Sequence, residues 1–148
     1  MINAFRQLMD RAAGQPPLGS WIMSNSAIVA EAMGHAGFAW SVVDMEHSPL
    51  DFGSLVHVLQ AVAATPMLPV TRVPWNDRVT LKRVLDAGAT TLLVPFVQNA
   101  DEARSAAQAC RYPPEGRRTP TIDADGRPQS FDHATPTQTQ GVPRGGLY

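Results

Sequence analysis

Two carboxylates and an imidazole, Asp44, Glu46 and His47, end an apolar run that begins at Trp40. The next apolar run, "LPVTR", ends in Arg72 just ahead of Pro74. An imidazole can exchange a proton near neutral pH, and Arg72 sets a cation at the same sheet edge. Each residue also has an ordinary explanation. Asp44 could cap a loop, Glu46 could be solvated, His47 could bond to backbone, and Arg72 could form a surface ion pair. Two successive strands that carry His47 and Arg72 to one sheet edge point to a site more strongly than either residue alone.

Asp86 stands two residues before Gly88, in the last turn of a predicted helix, where the macrodipole disfavours negative charge by only about 0.3–1 kcal/mol. It is either a solvated aspartate or a carboxylate that raises the basicity of a neighbour such as an imidazole. Trp21 lies on a predicted strand, and its position alone favours a core side chain over a pocket wall. His35 near a helix end, His57 within a helix and His133 near the C-terminus carry weaker signals. "GHAG" and "PRGG" lack the strand–loop–helix context and the lysine of a phosphate loop. Cys110, in "SAAQAC", reads as a packed helix residue rather than a reactive thiol.

The elements that must position these residues follow a regular rhythm. Ile2, Phe5, Leu8, Met9 and Ala12 share one helical face. Strand-like "LGSWIMS" precedes the helix "SAIVAEAMGHAG", and "GFAWSVVDM" precedes the helix "DFGSLVHVLQAVAA". "MLPVTRVP" reads as the third strand, followed by the helix "DRVTLKRVLDAG" with Asn76 as its expected cap. "TTLLVPF" is the fourth strand. Asn99 and Glu102 then form an approximate capping box over an alanine-rich helix that stops before Pro113. Strands recur roughly every 20 to 28 residues with one helix between them, the βαβ pattern of a parallel sheet. A doubly wound sheet and part of a (β/α)8 barrel both fit it.

The composition bounds the function. The chain has 148 residues and a net charge of −1, enough for one domain with a core. Near-zero charge gives no general attraction to nucleic acid or an anionic membrane. No run approaches the length of a membrane span, and "MINAFRQLMDRAAG" lacks the apolar centre of a signal peptide. A single cysteine cannot form an internal disulfide, which fits a cytoplasmic location. Residues 119–148, rich in Thr, Pro, Gln and Gly, show no helical or strand period and are expected to be a disordered tail.

Taken together, "LGSW", "AGFAWSVVDMEHSP", "PVTRVPWND", "LKRVLDAGATTLLVPFVQNADEAR" and "RYPPEGRR" resemble the HpcH/HpaI aldolase family, from about residue 17 to Arg118. That family includes 4-hydroxy-2-oxoheptanedioate aldolase and 2-keto-3-deoxy sugar acid aldolases. The resemblance implies a (β/α)8 barrel, a homo-hexamer and a metal-dependent (class II) pyruvate aldolase acting on small 2-oxo acids. It implies His47 as proton acceptor, Asp86 as the residue that raises its basicity, and Arg72 as the group that binds the pyruvyl end and stabilises enolate charge. Trp21 matches a substrate-pocket aromatic. A divalent Mg2+, Mn2+ or Co2+ would be the electrophile.

The family's "QIE"-like and "GPxDL"-like segments, whose Glu and Asp bind the metal, do not occur here. The expected architecture is therefore an incomplete barrel: about the first four βα units over residues 1–118, with a tail unlike the family and of the composition that an out-of-frame reading produces. Asp44 and Glu46 are a poor substitute for the missing ligands. The readings that follow are an aldolase-family chain inactive alone, a non-catalytic fragment that docks on full-length subunits, and a half-barrel that closes with a second copy.

Overall fold

Each helix among the described residues starts where a short polar side chain can take up free backbone N–H groups, and that punctuation sets the fold. The computed structural model describes residues 3–12, 14–119, 121–122 and 128–129. Helix α1 (Ala4–Arg11) is followed by β1 (Gly19–Ile22), α2 (Ala27–His35), β2 (Trp40–Asp44) and α3 (Phe52–Ala63). Then come β3 (Leu68–Arg72), α4 (Arg78–Asp86), β4 (Leu92–Leu93) and α5 (Ala100–Ala109). Asn3, Ser26, Asp51, Asp77 and Asn99 cap the five helices.

Two expectations need correction at this level. The cap of α4 is Asp77, not Asn76; its carboxylate accepts from the backbone N–H of Val79 at 2.9 Å and of Thr80 at 3.3 Å. A charged cap also complements the helix dipole, which an amide does not. The fourth strand pairs only over Leu92–Leu93. Pro95 has no N–H to donate, and Phe96, at φ 57°, turns the chain out of the extended region.

The four strands are parallel and lie in the order β1-β2-β3-β4, so neighbours in the sheet are neighbours in the chain. A doubly wound sheet would reverse its order at a switch point, so this order is that of consecutive βα units of a (β/α)8 barrel. The register gives each layer its residues: Trp21 beside Val42 beside Val70, and Ile22 beside Val43 beside Thr71 beside Leu92. Because successive side chains face opposite ways, Ile22 and Val43 turn to the helices. There they join Leu55, Val58, Val62, Leu81, Val84 and Ala106 in the core. Trp21, Val42, Val70, Asp44 and Arg72 belong to the other face.

Helix α1 packs at the N-terminal end of the sheet. Phe5 meets the Trp40 indole edge-on at 5.4 Å, the Trp40 Nε1–H donates to the Pro17 carbonyl, and Asn3 donates to Thr91 Oγ1 at 2.9 Å. Past α5, within the segment expected to be disordered, Thr121–Ile122 pairs antiparallel with Pro128–Gln129. Backbone hydrogen bonds hold such a ladder without the apolar period whose lack prompted the expectation. The rest of the tail lies outside the described residues.

Gly34 of α2 packs on the turn that follows α3, where an added Cβ would sit 2.2 Å from Thr65 Oγ1 and 2.6 Å from its Cβ. Gly34→Ala is therefore expected to destabilise the fold by about 1–3 kcal/mol, read from urea unfolding. An unchanged midpoint would mean that the helix pair is not held at this contact.

Candidate active site

The site is built on one ladder pair. Asp44 and Arg72 are the last residues of β2 and β3 and lie directly opposite each other in the register. Arg72 donates from Nε to Asp44 Oδ1 and from Nη2 to Oδ2, both at 2.8 Å. Asp44 is fully buried, with 0% of its side chain exposed, whereas 18% of Arg72 reaches solvent. The same carboxylate shapes the following loop: its Oδ1 also accepts the backbone N–H of Glu46 at 3.0 Å and of His47 at 3.4 Å. Ser48 Oγ donates to the Asp44 carbonyl and accepts from the Leu50 N–H. Asp44 thus caps a loop and pairs with a cation at once. A carboxylate removed from water is stabilising only when its lone pairs are satisfied in this way.

Glu46 and His47 complete the cluster. Glu46, only 8% exposed, places Oε2 3.1 Å from Arg72 Nη1 and Oε1 3.5 Å from His47 Nε2. His47 projects outward with 66% of its side chain exposed. The Arg72 guanidinium lies over the Trp21 ring, 4.6 Å from its centroid, so one flat face of the cation is covered. The neighbouring loops support this rim: Asn25 donates to the Pro49 carbonyl, and the rings of Trp75 and Phe96 stack at 4.6 Å.

The structure brings Trp21, Arg72 and His47 to one edge of the sheet and puts Asp86 elsewhere. Helices between parallel strands run back toward the strands' N-terminal edge, and Asp86 ends α4 there. Its partner is Arg118, whose Nη2 donates at 2.8 Å while its Cζ stands 4.6 Å from the Tyr112 ring centre. The awkward charge at the helix C-terminus is thus offset locally, and no contact joins Asp86 to His47 within the chain. The Cys110 thiol is pushed up from its ordinary value by burial, against the pull of Arg118 and Arg111, which suits a packing residue.

The sequence reading names Asp44 and Glu46 but does not pair them with Arg72. One signal was present. "WSVVD" and "LPVTR" are consecutive strands of equal length that end in opposite charges, and parallel strands in register place their last residues side by side.

Comparison with known proteins agrees with this fold. The HpcH/HpaI aldolase/citrate lyase family model matches residues 18–140, and the chain belongs to this family. It is 56% identical over 102 residues to a 2-dehydro-3,6-dideoxy-6-sulfogluconate aldolase of Pseudomonas putida, covering 69% of this chain and 40% of that protein. It is 48% identical over 118 residues to a 4-hydroxy-2-oxo-heptane-1,7-dioate aldolase of Escherichia coli, covering 80% of this chain and 44% of that one. A crystal structure of a family protein from Burkholderia cenocepacia superposes with a TM-score of 0.71 at 39% identity, over 79% of this chain and 48% of its own. The chain spans less than half the length of these relatives.

The Arg72 hydrogen bonds hold the Asp44 carboxyl below its ordinary value of 3.8, outweighing the opposing effect of burial. A depressed folded-state value means that the unfolded chain binds more protons in this range. The stability from Asp44 is therefore complete above the ordinary value and declines as pH falls through the lower folded value. Asp44→Asn is expected to lose about 2–3 kcal/mol at neutral pH, less than a fully buried pair because Arg72 keeps contact with water. Its unfolding midpoint should also fall less steeply than the native one below about pH 4. Parallel acid limbs in the two proteins would exclude Asp44 as their source.

Proposed function

We propose that this chain carries the substrate-carboxylate and proton-transfer parts of an aldolase that cleaves 4-hydroxy-2-oxo acids to pyruvate and an aldehyde. The observation that carries the reading is the Arg72 guanidinium, fixed by Asp44 and backed by Trp21, at a rim beside an exposed imidazole. Arg72 binds the carboxylate end of the 2-oxo acid, and Trp21 forms one wall of the pocket. His47 takes the proton of the C4 hydroxyl. As the C3–C4 bond breaks, its electron pair passes to C3 as an enolate, C4 leaves as the aldehyde carbonyl, and protonation at C3 gives pyruvate. A positive charge near the carboxylate lowers the energy of the enolate as it forms. Asp86, paired with Arg118, takes no part in this within one chain.

Family resemblance brings with it a divalent cation, Mg2+, Mn2+ or Co2+, as electrophile. The described residues do not fit one. Among them no group of three or more His, Cys, Asp or Glu side chains could hold a metal ion. The carboxylates nearest the site, Asp44 and Glu46, both face the Arg72 cation. The ligands of such an ion are proposed to lie outside the described residues.

The hexameric assembly implied by resemblance and the cytoplasmic location that a single cysteine fits are part of the same proposal. No helix among the described residues is long and apolar enough to cross a membrane. A second reading, a non-catalytic piece that associates with further family polypeptide, is favoured by the apolar side chains bared at both sheet edges. Trp21 and Met23 are exposed at β1, and Leu93, Phe96 and Val97 at β4.

Both readings are tested by one pair of assays. The chain alone, with Mg2+ or Mn2+ and a 4-hydroxy-2-oxo acid, is expected to release no pyruvate. A chimera in which residues 1–118 replace the matching part of the E. coli relative is expected to be active. His47→Ala in that chimera should lower kcat by about 10²–10⁴-fold. An inactive but folded chimera would favour the non-catalytic reading, and full turnover by the His47→Ala chimera would remove His47 as the base.

A further inference from the structure

The guanidinium of Arg72 carries five N–H groups, and their use in the structure is uneven. Asp44 takes one edge through Nε and Nη2, with two aligned hydrogen bonds of 2.8 Å. One face lies over Trp21. The only edge left to grip a second carboxylate with two donors is formed by Nη1 and the outer N–H of Nη2. Glu46 is the carboxylate nearest to Nη1, its Oε2 3.1 Å away in an ion pair that, unlike the Asp44 contacts, is not an aligned hydrogen bond.

We propose that Glu46 is a positioning residue that holds the place on Arg72 taken by the carboxylate of an incoming 2-oxo acid, and that substrate binding displaces it toward His47. The inference rests on the reading of Arg72 as the substrate-carboxylate group.

Charge and geometry single out Glu46 as the group that moves. Asp44 and Glu46 together already exceed the single positive charge of Arg72, so a third carboxylate at the same cation meets net repulsion unless one of the two withdraws. Asp44 cannot withdraw: it is fully buried and holds the loop through the N–H groups of Glu46 and His47. Leaving it unpaired in the interior would cost far more than an anion on the rim returns. Glu46 has a longer side chain, a weaker hold on Arg72 and a second partner in the exposed His47, 3.5 Å away. On leaving Arg72 it therefore remains at the cluster, beside the imidazole assigned as base. Anions that reach only one donor of Arg72 compete poorly with a tethered carboxylate, whereas a planar carboxylate that takes both succeeds. Glu46 thereby acts as a selectivity element as well as a placeholder.

The opposing structural reading, in which Glu46 merely braces Arg72, makes the reverse prediction for its removal. The test is an NMR titration of the isotopically labelled chain with pyruvate at fixed ionic strength, following the Trp21 indole N–H and the Arg72 Nε–H. Glu46→Gln is expected to bind pyruvate roughly three- to tenfold more tightly than the native chain, the range set by removing one partly exposed competing charge. Arg72→Gln is expected to abolish the response. In the native chain, the Glu46 carboxyl carbon resonance should shift in step with the Trp21 signal, a readout that requires no substitution to fold. Equal or weaker binding by Glu46→Gln, or a Glu46 carboxyl signal unmoved at saturation, overturns the proposal while leaving Arg72 as the anion-binding group. An Arg72→Gln chain that titrates like the native one overturns the underlying reading, as does the lack of any response in both the native and the Glu46→Gln chains.

Discussion

One buried ion pair, Asp44 with Arg72, joins the fold to the site. It closes the ladder between β2 and β3 at the edge where the strands release their loops. A carboxylate with no exposure can stay ionised there because two guanidinium N–H groups and two backbone N–H groups reach it. The same contacts fix the conformation of the loop that carries Glu46 and His47. Arg72 in turn is held by three neighbours of different character: a buried carboxylate, a nearly buried carboxylate and an aromatic face. Removal of Asp44 would free the loop, the cation and the strand end together.

The remaining architecture serves to bring those strand ends level. Equal strand lengths and a parallel register set the last residues of β2 and β3 side by side, and the helices return the chain behind the sheet. The helix-facing side carries the apolar core, which leaves the other side free for Trp21, Asp44 and Arg72. Helix α1 covers the far end of that face through Phe5 and Trp40. The polar cluster therefore stands at one end of a face whose other end is packed.

The element order, the βα rhythm and most helix starts were legible in the sequence, because caps and apolar periods are local signals. The fourth strand was less so: "TTLLVPF" has strand composition, but Pro95 and the left-handed Phe96 limit its pairing to Leu92–Leu93. Strand order was also hidden, since local pattern fits both a doubly wound sheet and a barrel. At the site, His47, Arg72 and Trp21 stood out by type and position. The pairing of Asp44 and Glu46 with Arg72 did not, because it depends on a register between strands 28 residues apart. Asp86 stood out as a misplaced charge, and its partner Arg118, 32 residues on, could be found only in three dimensions.

The dependence of the site on Asp44 and Arg72 as one unit is most directly tested by a double-mutant cycle. Urea unfolding of the native chain, Asp44→Asn, Arg72→Gln and the double variant at neutral pH gives the coupling energy without reference to activity. A coupling of about 2 kcal/mol or more is expected for a bidentate pair with one member fully buried. Effects that add to within about 0.5 kcal/mol would show two independent residues, and would contradict the pair as the element on which loop, cation and strand edge depend.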